Sequence, residues 1–335
     1  AVYTRQRLPR QQKARIAAIR DRRLRQAQKA AGETAEQLDE VPHRGTVVVR
    51  HGRSLVVADE ANHLVNCQFR QNLGEIVCGD RVVWHATGEE GGVVTAVEER
   101  STLLSRPDYG GHEKPIAANL TQLVIVAAPN PPPTGYLLDQ YLVAAEHFGL
   151  EAVFVLNKAD LLSDAHEELL EQFATYEEIG YRVLHVSTRQ HAGEEELRRL
   201  LQGQSSILVG QSGVGKSSLV NMLLPDHDIQ TGALSETSGL GRHTTSSATL
   251  YFLPRGGTLI DSPGVRSFRL VITGRAQLER GFREFAPLLG HCRFGDCRHE
   301  TEPGCALTAA VESGRITAWR LNHFRRMAQS LRNNK

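Results

Sequence analysis

The chain has 335 residues, enough for two or three domains with hydrophobic cores of their own. It contains no run of eighteen apolar residues, which excludes a membrane-spanning helix, and its basic N-terminus lacks the apolar segment of a secretory signal. Five cysteines, an odd number, do not suggest a framework of disulfide bonds, so we expect a reducing, cytoplasmic environment.

The N-terminal segment of residues 1–43 forms a strongly basic arm. Residues 1–30 hold ten Lys and Arg residues and one Asp, a net charge of +9, so the other residues carry −8 of the overall +1. The arm has too few large apolar residues to bury a core, and we expect it to be disordered or to form a helix on binding. A basic arm on a mildly acidic body favours a polyanionic partner, with a solvated tail as the alternative.

Five short β-strand patterns follow within residues 44–100, separated by turn residues. They lie at residues 46–49, 54–57, 63–67, 80–84 and 93–97. Five strands in so short a segment predict a small closed barrel of the oligonucleotide-binding (OB) type. Such barrels often bind RNA, but the few aromatic residues here make a rigid docking module an equal alternative. Residues 101–118, which are polar and rich in Gly and Pro, are predicted to be a linker.

Residues 119–273 alternate apolar strands with helices, which predicts a mainly parallel α/β sheet. The predicted strands lie at residues 123–127, 152–156, 181–186, 206–209, 250–253 and 258–260, and the predicted helices at 137–148, 164–179, 194–201 and 216–223. Residues 274–335 lack this alternation and are predicted to be mostly helical, with a basic last helix. The chain is therefore expected to be multidomain, with a barrel, an α/β domain and a helical C-terminal domain.

The α/β region contains a phosphate-binding loop with the pattern G-x-x-x-x-G-K-S between a strand and a helix. Its glycines let backbone N–H groups surround a phosphate chain, and the helix adds the positive end of its dipole. Lys216 is expected to reach the β- and γ-phosphates and to support catalysis, and Ser217 to bind Mg²⁺. The predicted contacts of this loop are Gly210, Gln211, Ser212, Gly213, Val214, Gly215, Lys216, Ser217 and Ser218.

A second motif, N-K-x-D, predicts which base the bound nucleotide carries. It consists of Asn157, Lys158 and Asp160 and follows a predicted strand. The Asp160 carboxylate only accepts hydrogen bonds, and guanine offers it two adjacent donors that adenine lacks. We expect Lys158 to lie over the base, Asn157 to brace base and loop, and the backbone N–H groups of Ser187 and Thr188 to contact the guanine oxygen. A helix-capping turn at Asp160 is the alternative.

A third motif, D-x-x-G, occupies residues 261–264. Asp261 is expected to hold Mg²⁺ through water, and the Gly264 N–H to contact the γ-phosphate. The next residue, where many GTPases have a water-orienting Gln, is Val265. Its apolar side chain cannot orient water, so slow intrinsic hydrolysis is expected.

The first switch is predicted at G-L-G-R-H-T-T, residues 239–245. Thr245, which we favour over Thr244, would complete the coordination of Mg²⁺ and support catalysis. His243 is the candidate to position the attacking water, with an ordinary exposed loop histidine as the alternative.

The order of these motifs is unusual, because N-K-x-D precedes the phosphate loop, whereas in standard GTPases it comes last. One complete sheet still results if the chain is circularly permuted after D-x-x-G. The D-x-x-G strand then leads directly into the C-terminal domain.

That domain contains a cluster of three cysteines and one histidine, namely Cys292, Cys297, His299 and Cys305. Three thiolates and an imidazole form a closed tetrahedral set that suits structural Zn²⁺. His291 is a competing imidazole, and a group of reduced thiols without metal is the alternative to the whole site.

The sequence resembles the ribosome-small-subunit-dependent GTPase A family of bacteria. The resemblance rests on the combination of the barrel, the motif order N-K-A-D, G-Q-S-G-V-G-K-S and D-S-P-G, the G-R-H-T-T switch and the C-x4-C-x-H-x5-C cluster. The resemblance covers about residues 44–320. It implies a permuted GTPase that converts GTP to GDP and phosphate, is stimulated by the 30S subunit and acts late in its maturation. It also implies a catalytic role for His243 and zinc ligation by the cluster.

We therefore expect a monomeric cytoplasmic GTPase that binds the 16S rRNA of the 30S subunit and carries GTP or GDP, Mg²⁺ and one structural Zn²⁺. The barrel, the zinc-binding region and the basic ends would contact the ribosome. One alternative is a GTP-gated RNA-binding assembly factor with little dependence on hydrolysis. Another is a P-loop ATPase or small-molecule kinase, against which Asp160 argues.

Overall fold

The computed structural model describes residues 41–52, 54–87, 91–107, 113–238, 248–262 and 274–333. The first part is a closed barrel in the strand order β1-β2-β3-β5-β4, in which β4 also pairs with β1. Its strands are β1 (His43–His51), β2 (Ser54–Asp59), β3 (Leu64–Phe69), β4 (Arg81–Thr87) and β5 (Gly91–Val97). The predicted five-stranded barrel is confirmed, and its interior is a separate core around Val47, Leu55 and Val82.

A two-stranded antiparallel hairpin follows the barrel, formed by β6 (Leu103–Pro107) and β7 (Glu113–Ala118). It lies within the predicted linker, where the sequence analysis predicted no strand. Asn119 anchors the end of the hairpin, because its side chain accepts from the Ser101 N–H and donates to the Gly79 carbonyl. Tertiary contacts of this kind stabilise strands whose own sequence has weak strand propensity.

The predicted α/β sheet is present in the strand order β10-β9-β8-β11-β13-β12. Its strands are β8 (Gln122–Ala127), β9 (Glu151–Leu156), β10 (Arg182–His185), β11 (Ser205–Val209), β12 (Thr249–Phe252) and β13 (Thr258–Asp261). All pairs are parallel except β12 with β13. β12 also pairs with β1 at Thr249 and Val49, so the sheet continues into the barrel.

Helices cover this sheet, which explains why β8 is buried along its whole length. They are α1 (Gly135–Phe148), α2 (Glu167–Ile179), α3 (Glu194–Leu201), α4 (Lys216–Leu223) and α5 (His227–Ser238). The helix predicted from residue 164 begins as a short 3₁₀ turn before α2. α5 was not predicted, because its sequence of small and polar residues has no clear apolar stripe.

Within residues 274–333, the C-terminal part contains a 3₁₀ helix (Arg283–Leu288) and three α-helices, α6 (Arg275–Arg280), α7 (Ala306–Glu312) and α8 (Ala318–Asn333). Its own core includes Leu278, Phe282 and Phe324, and it packs against Val143 of α1. No helix among the described residues has the length and apolar character needed to cross a membrane.

A buried ionic cluster joins this part to the α/β domain. Asp139 of α1 and Arg320 of α8 are both 0% exposed, and the Arg320 guanidinium donates to Asp139 at 2.5 Å. Arg320 also donates twice to Glu284, at 2.6 and 2.9 Å. The Tyr176 hydroxyl and His323 Nδ1 complete the surroundings of the Asp139 carboxylate, each at 2.6 Å.

Candidate functional site

The predicted nucleotide-binding segments meet at one edge of the sheet. β11 leads into the phosphate loop, β9 into Asn157, β10 towards Ser187, and β13 ends at Asp261. Because these strands are parallel, their carboxyl ends lie along the same edge, where open α/β sheets bind their ligands. The topology therefore assembles one site from segments that are far apart in the chain.

The phosphate loop requires glycine at specific positions. Gly210 and Gly215 have φ angles of 142° and 92°, which side chains rarely adopt. A Cβ at Gly210 would lie 2.2 Å from the Val126 carbonyl oxygen, and one at Gly215 would lie 2.3 Å from Nδ2 of Asn157. The loop is thus pressed against the ends of β8 and β9.

Lys216 points back into this loop from the first turn of α4. Its Nζ donates to the carbonyl oxygens of Gly210 at 2.7 Å and of Gln211 at 2.6 Å. The ammonium group therefore lies within the curve of the loop, where the positive end of the helix dipole adds to its charge. This arrangement can bind the phosphates of a nucleotide.

Asn157 links the base-reading motif to the phosphate loop. Its side chain is fully buried, and Nδ2 donates to the Val214 carbonyl at 2.9 Å. Lys158, with a left-handed φ of 58°, donates from Nζ to the carbonyl oxygens of Gly213 and Asn130, both at 2.7 Å. Two side chains of one motif thus hold the phosphate loop in a fixed position relative to Asp160.

Ser187 fixes the carboxylate of Asp160. Its hydroxyl donates to Asp160 Oδ1 at 2.6 Å and accepts from the Gln190 N–H at 3.1 Å. The sequence analysis expected the Ser187 backbone N–H to reach the base. That N–H instead donates to the Ala192 carbonyl at 3.0 Å, so the hydroxyl is the group of Ser187 that contacts the N-K-x-D motif.

The switch residues are mostly outside the described part of the chain. Asp261 ends β13 in register with Thr249 of β12, and Ser262 after it is buried. The candidates His243, Thr244 and Thr245 fall in residues 239–247, and Gly264 and Val265 in residues 263–273, neither of which is among the described residues.

The loop after β8 supports the site in a way that was not predicted from the sequence. The Asn130 carbonyl oxygen accepts from Lys158, and a Cβ added at Gly213 would lie 3.5 Å from Pro131 Cδ, so this loop passes close to the phosphate loop. From α1, Tyr141 hydrogen-bonds to the Gly210 backbone, and burial raises the pKa of its hydroxyl. The position of this loop at the carboxyl end of a parallel strand was the available signal.

The four residues of the Cys₃His cluster come together at the predicted place. Their ligand atoms all lie within 4.8 Å of one another, and His299 Nδ1 is 3.4 to 3.6 Å from the three sulfurs. A tetrahedral Zn²⁺ with standard bond lengths needs a sulfur–nitrogen separation of about 3.6 Å. The exposed His291 does not belong to the cluster, so the geometry favours His299 and fits a zinc ion.

Neighbouring groups orient these ligands. His299 Nε2 lies 3.5 Å from Glu279 Oε1, and the Ala306 N–H donates to the Cys292 sulfur. Burial opposes a thiolate at Cys305, but hydrogen bonds from Thr308, His299 and Leu307 lower its pKa to about 7. Metals bind the thiolate form, so this environment favours ligation.

Comparison with known proteins identifies the family. A family model described as RsgA GTPase matches residues 97–271. A protein of Azotobacter vinelandii named "Small ribosomal subunit biogenesis GTPase RsgA" is 48% identical over 97% of both chains. This chain belongs to the RsgA GTPase family. A relative of the same name in Hahella chejuensis is 44% identical over 97% of this chain and 96% of its own.

As an RsgA GTPase, the chain is a hydrolase acting on GTP, and the family resemblance stated from the motifs is confirmed. Its fold is similar to that of YjeQ from Thermotoga maritima, with a TM-score of 0.71 and 33% identity over 87% of this chain and 99% of that one. YloQ, described as a circularly permuted GTPase, also has a TM-score of 0.71, with 26% identity over 88% of this chain and 97% of its own. The predicted permuted fold is therefore confirmed.

Proposed function

We propose that this GTPase acts in the biogenesis of the small ribosomal subunit, where it binds the 16S rRNA of the 30S subunit and hydrolyses GTP faster when bound. Relatives that match nearly the whole chain carry the name of a small ribosomal subunit biogenesis GTPase. The observation that most supports GTP binding is the position of the Asp160 carboxylate. Ser187 fixes this carboxylate beside a phosphate loop that Asn157 and Lys158 hold in place.

Within this proposal, the base lies between Lys158 and Ser187, and its N1–H and amino group donate to Asp160. The phosphates lie in the loop of residues 210–218, where backbone N–H groups and Lys216 neutralise their charge. Adenine would leave the acceptors of Asp160 without donors once the base covers them, so ATP should bind much more weakly.

Two metal ions complete the proposal. Ser217 and Thr245, and Asp261 through water, would hold Mg²⁺, which would supply positive charge beside the β- and γ-phosphates. The Cys₃His cluster would hold one structural Zn²⁺, and its four protein ligands would leave no position for a catalytic water.

Hydrolysis depends on the switch residues. His243 positions the attacking water once the first switch is ordered, because Val265 cannot take the role of a water-orienting Gln. Contact with 16S rRNA orders that switch, which explains why the 30S subunit would raise the rate. The Gly264 N–H would contact the γ-phosphate, and the chain after the D-x-x-G motif leads directly into the C-terminal domain.

The proposed RNA contacts come from the barrel, the zinc-binding region and the basic ends. Residues 1–30 carry a net charge of +9, and no acidic residue follows Glu312.

We propose that the chain is divided into an arm (1–43), a barrel (44–100), a linker with the β6–β7 hairpin (101–118), a GTPase domain (119–273) and a zinc-binding helical domain (274–335). We propose that the protein is a monomer in the cytoplasm.

The experiment that tests this function measures GTP and ATP turnover by the full chain while 30S subunits are added. We expect slow GTP turnover alone, a strong rise with 30S subunits and little activity with ATP. GTP turnover that does not respond to 30S subunits, combined with tight GTP-dependent 30S binding, would instead establish the assembly factor with little dependence on hydrolysis.

A further inference from the structure

Phe294 exposes an aromatic ring on the loop between two residues of the Cys₃His cluster. It is 43% exposed, and among the described residues the other exposed large hydrophobic side chains are aliphatic, Val41 and Leu161. Cys292 and Cys297 close the loop at its base, and the Cys297 N–H donates to the Phe294 carbonyl at 3.2 Å. The ring is thus held on a short, closed loop outside the hydrophobic core of this region.

A guanidinium group accompanies this ring. Arg293 Cζ lies 5.5 Å from the centroid of the Phe294 ring, a cation–π distance. The Arg293 side-chain stem lies over Gly304, because a Cβ added at Gly304 would be 2.8 Å from the Arg293 Cβ. The Arg293 N–H also donates to the Gly304 carbonyl at 3.0 Å. Arg293 is therefore held beside the ring. Arg298, which directly follows the loop, is also exposed, and the acids of this segment are Asp296 within the loop and Glu300 and Glu302 after it.

This combination of groups has a specific chemical partner. An exposed aromatic ring on a rigid loop can stack on a nucleobase, and neighbouring guanidinium groups can bind phosphates. Bases within a duplex have no open face, so the ring requires an unpaired base. A basic protein surface, the other partner expected on a ribosome, would offer no anionic group to the exposed guanidinium groups of Arg293 and Arg298.

We propose that Phe294 stacks on an unpaired base of the RNA that the chain binds, while Arg293 and Arg298 contact neighbouring phosphates. The inference rests on the proposed function, since it names the contact through which the zinc-binding region binds 16S rRNA. The barrel has few aromatic residues for stacking, and this ring lies in the zinc-binding region instead.

The first test compares Phe294→Leu, which keeps an apolar side chain but removes the aromatic face, with Phe294→Tyr, which retains that face. For the full chain, we expect Phe294→Leu to weaken binding to 30S subunits by roughly 5- to 150-fold, the range found for loss of one stacked base. Phe294→Tyr should bind within about twofold of the wild type. Zinc content and GTP affinity serve as controls for folding and should be unchanged in both.

The second test places the photo-reactive residue p-benzoylphenylalanine at position 294 and crosslinks the full chain to 30S subunits. We expect crosslinks to unpaired nucleotides of 16S rRNA. Crosslinks to a ribosomal protein or to duplex RNA, or a Phe294→Leu variant that binds 30S subunits as the wild type does, would overturn the inference.

A third arm separates this inference from the proposed function, using a twelve-nucleotide single-stranded RNA and the matching duplex. If the wild type ignores 30S subunits but Phe294→Leu loses affinity for the single strand and not for the duplex, the stacking site stands and the ribosomal function fails. If the wild type is stimulated by 30S subunits and Phe294→Leu changes no affinity, the function stands and the stacking site fails.

Discussion

At the scale of single residues, the proposed recognition of guanine depends on how firmly the Asp160 carboxylate is oriented. The Ser187 hydroxyl contacts one of its oxygens at 2.6 Å and is itself positioned by the Gln190 backbone. A hydrogen bond to a charged group contributes about 1.5 to 3 kcal/mol, so this contact is worth more than a typical neutral one.

We expect Ser187→Ala to weaken GTP binding by about tenfold, since the carboxylate would lose its orienting donor. Gln190→Ala is the matched control, because Gln190 contributes its backbone N–H and not its side chain. Titration with a fluorescent GTP analogue measures both. Equal affinities of Ser187→Ala and the wild type would show that the hydroxyl does not orient Asp160.

A second prediction at this scale concerns the proposed catalytic role of His243. If it positions the attacking water, His243→Ala should lower 30S-stimulated turnover by roughly a hundredfold or more, with GTP affinity unchanged. Single-turnover hydrolysis at saturating GTP separates the two quantities. Stimulated turnover at the wild-type rate would assign His243 to an ordinary loop position.

Motif residues could be predicted from the sequence because phosphate binding and guanine recognition require particular residue types at fixed spacing. The side chains that support them could not. Tyr141 and Asn130 act through groups that many residues possess, and only the fold brings them to Gly210 and Lys158. The hydroxyl contact of Ser187 was missed because the pairing of its backbone with Ala192 depends on the folded loop.

At the scale of elements, strong periodicity made strands and helices predictable. β8 and β9 are continuous apolar runs, and α4 begins and ends where its sequence indicated. The β6–β7 hairpin and α5 were missed, because their sequences have weak local preferences and their stability comes from tertiary contacts. The metal cluster was predictable from spacing, whereas its partner Glu279 was not.

Removing one ligand of that cluster tests its structural role. We expect wild-type protein to contain one zinc per chain, and Cys305→Ala to lose it together with several degrees of thermal stability in the C-terminal part. His291→Ala is the control, because His291 lies outside the cluster. Metal analysis and thermal unfolding measure both effects. Unchanged stability of Cys305→Ala would exclude a structural metal.

At the scale of the whole molecule, the Asp139–Arg320–Glu284 cluster joins the GTPase domain to the C-terminal domain. Burial opposes the charge on Arg320, but the carboxylates of Asp139 and Glu284 raise its pKa above the usual range, so it stays charged. The sequence showed Arg320 as one of several basic residues of a terminal helix. Its full burial could not be predicted, because a partner 181 residues away determines it.

We expect Arg320→Met to lower the free energy of unfolding by about 3 to 5 kcal/mol, since it leaves Asp139 and Glu284 as buried charges without their partner. The exposed Arg315→Ala is the control, and it should change stability little. Urea unfolding followed by tryptophan fluorescence compares them, because Trp319 lies next to this cluster. Equal midpoints for both variants would mean that the cluster does not hold the domains together.

The central claim is that one site recognises guanine through Asp160 and that binding of the 30S subunit stimulates GTP hydrolysis at this site. The most direct measurement is the 30S-stimulated turnover of Asp160→Asn with GTP and with xanthosine triphosphate. An Asn amide donates to the xanthine oxygen that replaces the guanine amino group. We therefore expect stimulated turnover of GTP to be lost and that of xanthosine triphosphate to appear, whereas undiminished GTP turnover in Asp160→Asn would contradict the account.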